Sequence, residues 1–377
     1  MTKLKTAILL SLSVMFLLFA CNGKRHDTVI KGNIANLDEY EILVSYFIDD
    51  SIIVDTVFST PKGYFSYKCS IDTLTSFSLY FNDQSSTVLV YANPLDRVTV
   101  KGDALVPDLI NVNGNDINDG LTEFKETYSD LLLRRNFIYN TFRNVSPNDT
   151  IQNTKAFVPS DEEATLNNIN LELKLAAEEF IEKNPDRLSS LILINEFFAN
   201  SDNPELFERV MGFLKAGVLK TKMGLNLDTY LKKVKKSAEG VAMPYFQLID
   251  IKGDTINSYD YKGKYLLLSF VSSTGTDSRE TIKRLKDTYK NINKDSVEFI
   301  SIYIDSNIHP NEIIESDSVD WRVVPEKRSW ASDIVDAYNI EFVPNNILIS
   351  PKGVISTRNI SASAVAKELK SSTKNDQ

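Results

Sequence analysis

Hydroxyl and carboxyl side chains cluster directly after a hydrophobic run in the C-terminal half of the chain. Ser272 and Ser273 follow the run, and Asp277 and Ser278 come shortly afterwards. A serine hydrolase at this place would need a general base to activate the hydroxyl group. His309 is the only histidine in this half of the chain. Asp and Ser also accept backbone hydrogen bonds at helix starts, so we interpret Asp277 and Ser278 as helix-capping residues.

Metal, phosphate and nucleic-acid sites are not indicated by the sequence. Neither of the two histidines, His26 and His309, neighbours a cluster of metal ligands in the sequence. The sequence contains no glycine-rich phosphate loop, and its formal net charge of −9 is opposite to the basic footprint of nucleic-acid binding. We therefore predict no cofactor, no metal ion and no nucleic-acid partner. Trp321 and Trp330, which lie near several basic residues, are interpreted as packing residues rather than as a binding surface.

The elements that must position the serine-rich loop are a strand before it and a helix after it. Residues 265–271 form a hydrophobic run of strand length, which predicts a buried strand. Ile282, Leu285 and Tyr289 recur at helical spacing in the polar segment that follows, which predicts an amphipathic helix. Any chemistry on this unit would therefore lie at the start of the helix.

This strand, loop and helix resemble the active-site unit of the thioredoxin-like proteins. Membrane-anchored bacterial members carry Phe-Trp-Ala-Ser-Trp-Cys-x-x-Cys-Arg, a pattern that Phe270, Ser273 and Arg279 match. The two cysteines of the pattern fall at the positions of Gly275 and Ser278. The degenerate active-site positions of this chain are Gly275, Thr276, Asp277 and Ser278.

The loss of both cysteines decides which chemistry is expected. Disulfide exchange needs a thiolate with a lowered pKa at a helix N-terminus and a second thiol that resolves the mixed disulfide. Gly275 has no side chain, and the hydroxyl group of Ser278 cannot carry the two electrons of a dithiol. Ordinary thioredoxin chemistry is therefore not expected at this loop, and no residue is assigned a catalytic role.

Further segments of the resemblance follow in the family's order between about residues 240 and 370. Residues 242–248 and 250–253 resemble the family's Ala-Pro-x-Phe-x-Leu and Asp-x-x-Gly segments. Val343 and Pro344 precede a predicted strand, and in the family the proline at this place forms a cis peptide that faces the active-site loop. The resemblance implies a mixed sheet flanked by helices, with a groove at Val343 and Pro344.

The N-terminus is predicted to be an export signal with a lipidation site. Residues 7–20 form an apolar run after two lysines, and the run is shorter than the about 20 residues of a spanning helix. It ends in Leu-Phe-Ala before Cys21, which resembles the bacterial lipoprotein signal. We predict a signal peptide over residues 1–20 and a lipidated tether over residues 21–27. The protein would be anchored to a membrane of the cell envelope, facing the periplasm. The alternative is a plain signal peptide or membrane anchor with an incidental cysteine.

Cys69 is the only other cysteine of the chain. Alternation along the sequence places it with Phe65, Tyr67 and Ile71 on the apolar face of a predicted strand. We interpret Cys69 as a buried and inert thiol, and a redox role for it is the alternative.

The whole chain is predicted to be a multidomain α+β protein, since 377 residues exceed what one core usually serves. Residues 28–105 contain short β-rich runs separated by turn residues, which predicts an antiparallel β-sandwich-like domain. It resembles the uncharacterised β domain that precedes thioredoxin-like domains in exported lipoproteins. Residues 106–239 are predicted to be helical, with apolar stripes, including Leu171 and Leu175, in the core. Residues 240–377 are predicted to form the thioredoxin-like α/β domain.

Two functions from different classes remain open. The first is a lipid-anchored protein whose redox-inactive thioredoxin-like domain binds a peptide or protein partner in the groove between the Gly275 loop and Pro344. The second is a thiol-disulfide oxidoreductase of envelope redox homeostasis that acts through Cys69 or through a partner's cysteines. The missing cysteine pair favours the first function, in which the protein is not an enzyme.

Overall fold

The computed structural model describes residues 27–37, 40–49, 51–81, 86–144, 161–199, 203–305 and 319–375. The chain divides into two compact units, Met1–Leu193 and Ile194–Gln377. The predicted signal peptide, Cys21 and His309 lie outside the described residues. The predicted boundaries at residues 105 and 239 stay predictions.

Eight described strands form two four-stranded sheets in the first unit. These strands are β1 (Asp27–Ala35), β2 (Glu41–Ile48), β3 (Ser51–Phe58), β4 (Tyr64–Ser70), β5 (Thr75–Phe81), β6 (Ser86–Ala92), β7 (Arg97–Asp103) and β8 (Asn111–Asn113). One sheet has the strand order β4-β1-β7-β8, and the other has the order β3-β2-β5-β6. The N-terminal region is therefore rich in sheet, as predicted.

Alternate side chains of both sheets meet in one hydrophobic core. Ile30 and Val100 from the first sheet and Val44 and Phe77 from the second are all completely buried in it. Most strand pairs are antiparallel, whereas β1 and β7 pair in parallel, which differs from the predicted antiparallel domain. A parallel pair needs a long connection, and strands β2 to β6 supply it.

Seven described helices lie between β8 and the next strand. They are α1 (Asp116–Thr127), α2 (Ser129–Asn144), α3 (Asp161–Lys183), α4 (Leu188–Ile194), α5 (Pro204–Met211), α6 (Ala216–Leu219) and α7 (Lys222–Lys236). This region is helical, as predicted. The predicted core positions Leu171 and Leu175 of α3 are wrong, because both side chains are more than half exposed. The buried stripe of α3 instead contains Leu173 and Ala177, one helical turn apart.

The second unit contains a five-stranded mixed sheet. Its strands and helices after α7 are β9 (Gln247–Ile249), β10 (Thr255–Asn257), β11 (Tyr265–Val271), α8 (Thr276–Lys290), β12 (Val297–Tyr303), β13 (Arg322–Pro325), α9 (Asp333–Ala337), β14 (Asn345–Ile349), β15 (Ile355–Thr357) and α10 (Ala362–Asn375). The sheet order is β13-β12-β11-β14-β15, and β9 and β10 form a separate hairpin. Strands β11, β12 and β13 are parallel, and β14 and β15 run antiparallel to their neighbours.

Both faces of this sheet are covered. Phe270 and Tyr338 belong to the cluster on one face, and Phe299 and Leu285 belong to the cluster on the other face. Trp321 packs in the second cluster, where its Nε1 donates a hydrogen bond to Ser301 Oγ at 2.8 Å. The mixed sheet with helices on both sides is the architecture that the sequence predicted for residues 240–377.

Candidate functional site

Strand β11 carries the chain to the candidate site at its carboxyl end. All seven residues of the strand are buried, because it lies between β12 and β14 in the middle of the sheet. The chain then passes from Ser272 to Gly275 and enters α8 at Thr276. Gly275 is the residue before the helix and has no side chain with which to cap it. The positive end of the helix dipole therefore lies at this loop.

Ser278 and Asp277 do not have the helix-capping role that we predicted for them. The Ser278 side chain is only 2% exposed, and its Oγ accepts a hydrogen bond from the Ser272 N–H at 3.0 Å. Ser278 therefore connects the first turn of α8 to the end of β11 instead of capping its own helix. Asp277 is exposed in the first helical turn, where the dipole favours a negative charge.

The two positions that correspond to the family's cysteines lie at a distance suited to a disulfide. A Cβ atom added to Gly275 would lie 3.7 Å from the Cβ of Ser278 and 3.4 Å from its Oγ. Disulfide bonds join Cβ atoms that are about 3.5–4.5 Å apart. Gly275 has a φ of −76°, a value open to any L-residue. The loop geometry is therefore that of a dithiol site, while residues 240–377 contain no cysteine.

Asp305 holds the loop in place, a role that the sequence analysis did not identify. Its Oδ1 accepts a hydrogen bond from Ser272 Oγ at 2.7 Å, and its Oδ2 accepts one from the Ser273 N–H at 2.5 Å. Asp305 follows β12, the parallel neighbour of β11, so its side chain reaches the same end of the sheet. In the sequence, the signal for this role was a carboxylate shortly after the strand that lies parallel and adjacent to β11.

A groove runs beside this loop between α8 and the start of α10. Its volume is about 320 Å³. The Val343–Pro344 peptide bond is cis, and the Phe342 side chain beside it is 55% exposed. The groove is lined by Asp277, Glu280, Thr281, Arg284, Phe342, Pro344, Asn346, Asn359, Ile360, Ser361, Ala362 and Ser363. Pro344 and Asp277, which the sequence analysis selected, therefore line one groove.

One buried atom in the groove lining has an unused hydrogen-bonding capacity. Asn346 donates from Nδ2 to the carbonyl oxygen of Ile360 at 2.9 Å. Its Oδ1 is buried and makes no hydrogen bond within the described part of the chain. A ligand that brings an N–H or O–H group into the groove could satisfy this acceptor.

Helix α7 supports the segment that leads into Pro344. The Tyr230 hydroxyl donates to Glu341 Oε1 at 2.6 Å, and burial together with this carboxylate raises the pKa of Tyr230 to about 12. Lys233 forms an ion pair with Asp336 at 2.8 Å. The positions of Glu341 and of the following Phe342 are therefore fixed partly by a helix that precedes the five-stranded sheet in the sequence.

Arg358 joins the ends of two helices beneath this segment. Its Nη1 donates to the carbonyl oxygen of Ser237 at 2.7 Å, and its Nη2 donates to those of Tyr338 at 2.8 Å and Asn339 at 3.3 Å. Ser237 and Tyr338 are the C-terminal caps of α7 and α9. A cation is favoured at helix C-termini, where carbonyl groups lack partners within the helix.

Cys69 lies on β4 in the first unit and is half-buried, so the thiol that we predicted to be buried is only partly enclosed. It packs at the margin of the core, opposite Thr28 on β1. Burial, together with the charges of Asp55 and Asp27, raises the pKa of the Cys69 thiol to about 11. The reactive thiolate is therefore a minor form at neutral pH. Phe65 and Tyr67 of the same strand are buried as predicted.

Part of this chain is similar to known proteins. Residues 240–358 match the AhpC/TSA family. The thiol-disulfide oxidoreductase ResA of Bacillus subtilis (strain 168) is 27% identical over 119 residues, which are 31% of this chain and 65% of ResA. The C-terminal domain is thioredoxin-like. The match spans less than two thirds of the length of ResA.

Solved structures are also similar to parts of this chain. The thioredoxin domain of a thiol-disulfide oxidoreductase from Bacteroides vulgatus is 24% identical, covers 36% of this chain and 96% of its own, and has a TM-score of 0.34. A thioredoxin-like protein from Bacteroides caccae ATCC 43185 is 16% identical, covers 63% of this chain and 92% of its own, and has a TM-score of 0.42.

Over the ranges given above, no three His, Cys, Asp or Glu side chains group so that they could hold a metal ion. None of the described helices combines the length and the apolar character that crossing a membrane requires.

Proposed function

We propose that this chain is a lipid-anchored protein of the bacterial cell envelope, facing the periplasm, whose thioredoxin-like domain binds a peptide or protein segment without disulfide exchange. The observation that carries this proposal is the site at Gly275 and Ser278. These positions keep the Cβ spacing of a disulfide, 3.7 Å, yet neither residue has a sulfur atom. The scaffold of a substrate-binding site is therefore retained beside a loop that cannot exchange disulfides.

The groove lining supports a polypeptide ligand. Phe342 offers an exposed apolar ring, and Asn346 offers a buried oxygen that can accept a hydrogen bond. Arg284 pairs with Glu280 at 3.0 Å, so Asp277 provides the remaining charge of the lining. An extended segment with an apolar side chain and a nearby Lys or Arg would match these three features.

Attachment to the membrane is proposed from the sequence before Cys21, where an apolar run ends in Leu-Phe-Ala. Cys21→Ser should abolish acyl labelling and leave the precursor uncleaved, because the lipidated atom is the cysteine sulfur. Metabolic labelling with a radioactive fatty acid, followed by gel electrophoresis, measures both effects. Cys69→Ser is the matched control and should be labelled and processed normally. Acyl labelling of the Cys21→Ser protein would reject the assignment.

The alternative function, thiol-disulfide exchange, is favoured by the similarity to ResA, which is named as a thiol-disulfide oxidoreductase. In this chain the exchange would depend on Cys69 or on cysteines of the partner. The raised pKa of Cys69 argues against the first route, because about one hundred times less thiolate forms at neutral pH when a thiol pKa rises from 9.0 to about 11.

Partner binding can be tested through the exposed ring in the groove. Phe342→Ala should lower the recovery of crosslinked partner from envelope membranes by roughly tenfold, since aromatic anchors dominate many interfaces. Trp330→Ala is the matched control, because Trp330 is 50% exposed in the same unit and does not line the groove. Crosslinking followed by quantitative mass spectrometry gives the measurement. Equal loss in both variants, or in neither, would argue against the groove.

The same preparations separate the two functions. The protein should reduce insulin disulfides no faster than background, and Phe342→Ala should leave that result unchanged. Turnover that disappears in Cys69→Ser would assign the chemistry to the first unit and overturn the proposed function in favour of the alternative.

A further inference from the structure

Strand β3 is an open edge of its sheet. It pairs with β2 along its whole length and has no second neighbour among the described strands. Ile52, Val54 and Phe58 project from one side of β3 and are 60–68% exposed, and Phe47 on β2 lies opposite Ile52 with 61% exposure. Apolar side chains on an unpaired edge strand mark a surface that binds another strand.

The other edge of this sheet is bonded by side chains at one residue. At β6, the Tyr91 N–H donates to Asn118 Oδ1 at 3.1 Å, and the Tyr91 carbonyl accepts from Asn118 Nδ2 at 2.6 Å and Asn115 Nδ2 at 2.8 Å. The neighbouring sheet is bonded in the same way at β8, where Thr122 Oγ1 bonds both the N–H and the carbonyl of Val112. Side chains at the N-terminus of α1 and within α1 thus bond one residue on each of these edges, whereas no described side chain bonds the backbone of β3.

Strand β3 also lacks the sequence features that usually prevent an edge strand from pairing with a strand of another chain. It contains no proline, lysine or arginine, and its eight pairs with β2 keep one register without a bulge. Its one charge, Asp55, lies on the side of Ile53 and Val57, which pack against the core. Asp55 accepts a hydrogen bond from the Tyr67 hydroxyl, so its charge is directed away from the exposed apolar side.

We propose that β3 is a self-association surface, on which a second copy of this chain docks by antiparallel pairing of β3 with β3. With Thr56 on the two-fold axis, Val54 of each copy lies opposite Phe58 of the second copy, and the two Thr56 residues face each other. Apolar and Thr–Thr cross-strand pairs are favourable. The two four-stranded sheets would then join into one continuous sheet through an isologous interface.

The charges at the two ends of β3 favour a second copy of this chain that pairs in the antiparallel direction. The turn before β3 carries Asp49, and the turn after it carries Lys62. Antiparallel pairing brings the Asp49 turn of each copy beside the Lys62 turn of the second copy, and this contact occurs twice. The register centred on Thr56 places Asp55 opposite Val57 of the second copy, so the two Asp55 carboxylates do not oppose each other. Parallel pairing would bring like charges together at both ends.

Cysteine crosslinking in cells that produce the full-length chain tests the pairing and its register. Thr56→Cys should give a disulfide-linked species of twice the monomer mass after mild oxidation, because facing residues of antiparallel strands have Cβ atoms about 4.5–5.5 Å apart and a small shift of the strands brings them within the range of a disulfide. The matched control is Thr87→Cys, an exposed threonine on β6, which should stay monomeric. Both variants retain the native cysteines, so any difference between them arises from the edge strand.

A second variant separates self-association from chance crosslinking. Val54→Lys should weaken the dimer of the full-length protein by roughly tenfold or more in sedimentation equilibrium, because two lysines enter the interface and desolvate. Thr87→Lys should leave the dimer unchanged. A monomeric wild-type protein, equal crosslinking of Thr56→Cys and Thr87→Cys, or a Thr56→Cys product that contains a different protein would each overturn the proposal.

Discussion

A protein with Gly275→Cys and Ser278→Cys should gain a reversible intramolecular disulfide and weak disulfide reductase activity. A Cβ at position 275 would lie 3.7 Å from the Cβ of Ser278, inside the separation of about 3.5–4.5 Å found in disulfides. The φ of −76° at Gly275 suits cysteine without strain. The nearest neighbour of the added Cβ, Ser278 Oγ, is itself replaced by the second substitution.

The chemistry of the restored pair follows from its place at the start of α8. The positive end of the helix dipole stabilises a thiolate at position 275, and its pKa should fall below about 8. That thiolate attacks a substrate disulfide, and the thiol at position 278 then resolves the mixed disulfide. Insulin reduction and thiol titration with and without oxidant measure activity and pairing.

The two single variants are the controls for this experiment. Gly275→Cys alone and Ser278→Cys alone each retain Cys69, and neither can close the 275–278 bond. Both should remain at background activity. A folded double variant whose thiols stay unpaired under oxidant would show that the loop does not hold the spacing of a dithiol site, and the groove proposal would lose its main support.

The strand and helix around this loop could be predicted because their signals are local. Residues 265–271 are hydrophobic except for Ser269, and such a run fits the buried centre of a parallel sheet. Ile282 and Leu285 keep helical spacing and are buried in α8. The family resemblance then gave the sheet around them, since its segments occur in order along about 130 residues.

Long-range contacts account for what the sequence analysis missed. Asp305 bonds the loop from 32 residues away, and Arg358 reaches Ser237 across 121 residues. Neither side chain belongs to a motif, so only the assembled sheet brings it to its partners. The exposure of Leu171 in α3 has a similar origin, because the apolar residues of that helix allow two overlapping stripes and packing selects one.

Edge strands are a further case in which local pattern was insufficient. The sequence from Ser51 to Phe58 predicts a strand by its β-branched residues, and it forms one. Its hydrophobic character does not reveal whether the strand is central or at an edge. Strand β3 lies at an edge because β2 pairs with β3 on one side and with β5 on the other. This strand order is a property of the whole sheet.

Arg358→Leu should destabilise the second unit by about 3 kcal/mol, since it leaves buried carbonyl groups without a charged donor. The groups that lose the guanidinium are the carbonyls of Ser237, Tyr338 and Asn339, all in buried residues. Leucine keeps part of the apolar stem but supplies no hydrogen bond. The ends of α7 and α9 would then be held together less firmly, and the segment leading to Phe342 would be freer to move.

Denaturant unfolding followed by tryptophan fluorescence isolates this effect, because both tryptophans of the chain, Trp321 and Trp330, lie in the second unit. Arg328→Leu is the matched control, since Arg328 pairs with Asp333 on the solvent-exposed surface, where an ion pair contributes little to stability. Arg358→Lys should recover only part of the loss, because a single ammonium group cannot reproduce the fork of the guanidinium. Equal unfolding midpoints for the Arg358→Leu and Arg328→Leu proteins would contradict the bridging role. Weaker partner capture by Arg358→Leu under conditions where it remains folded would connect this bridge to the groove at Pro344.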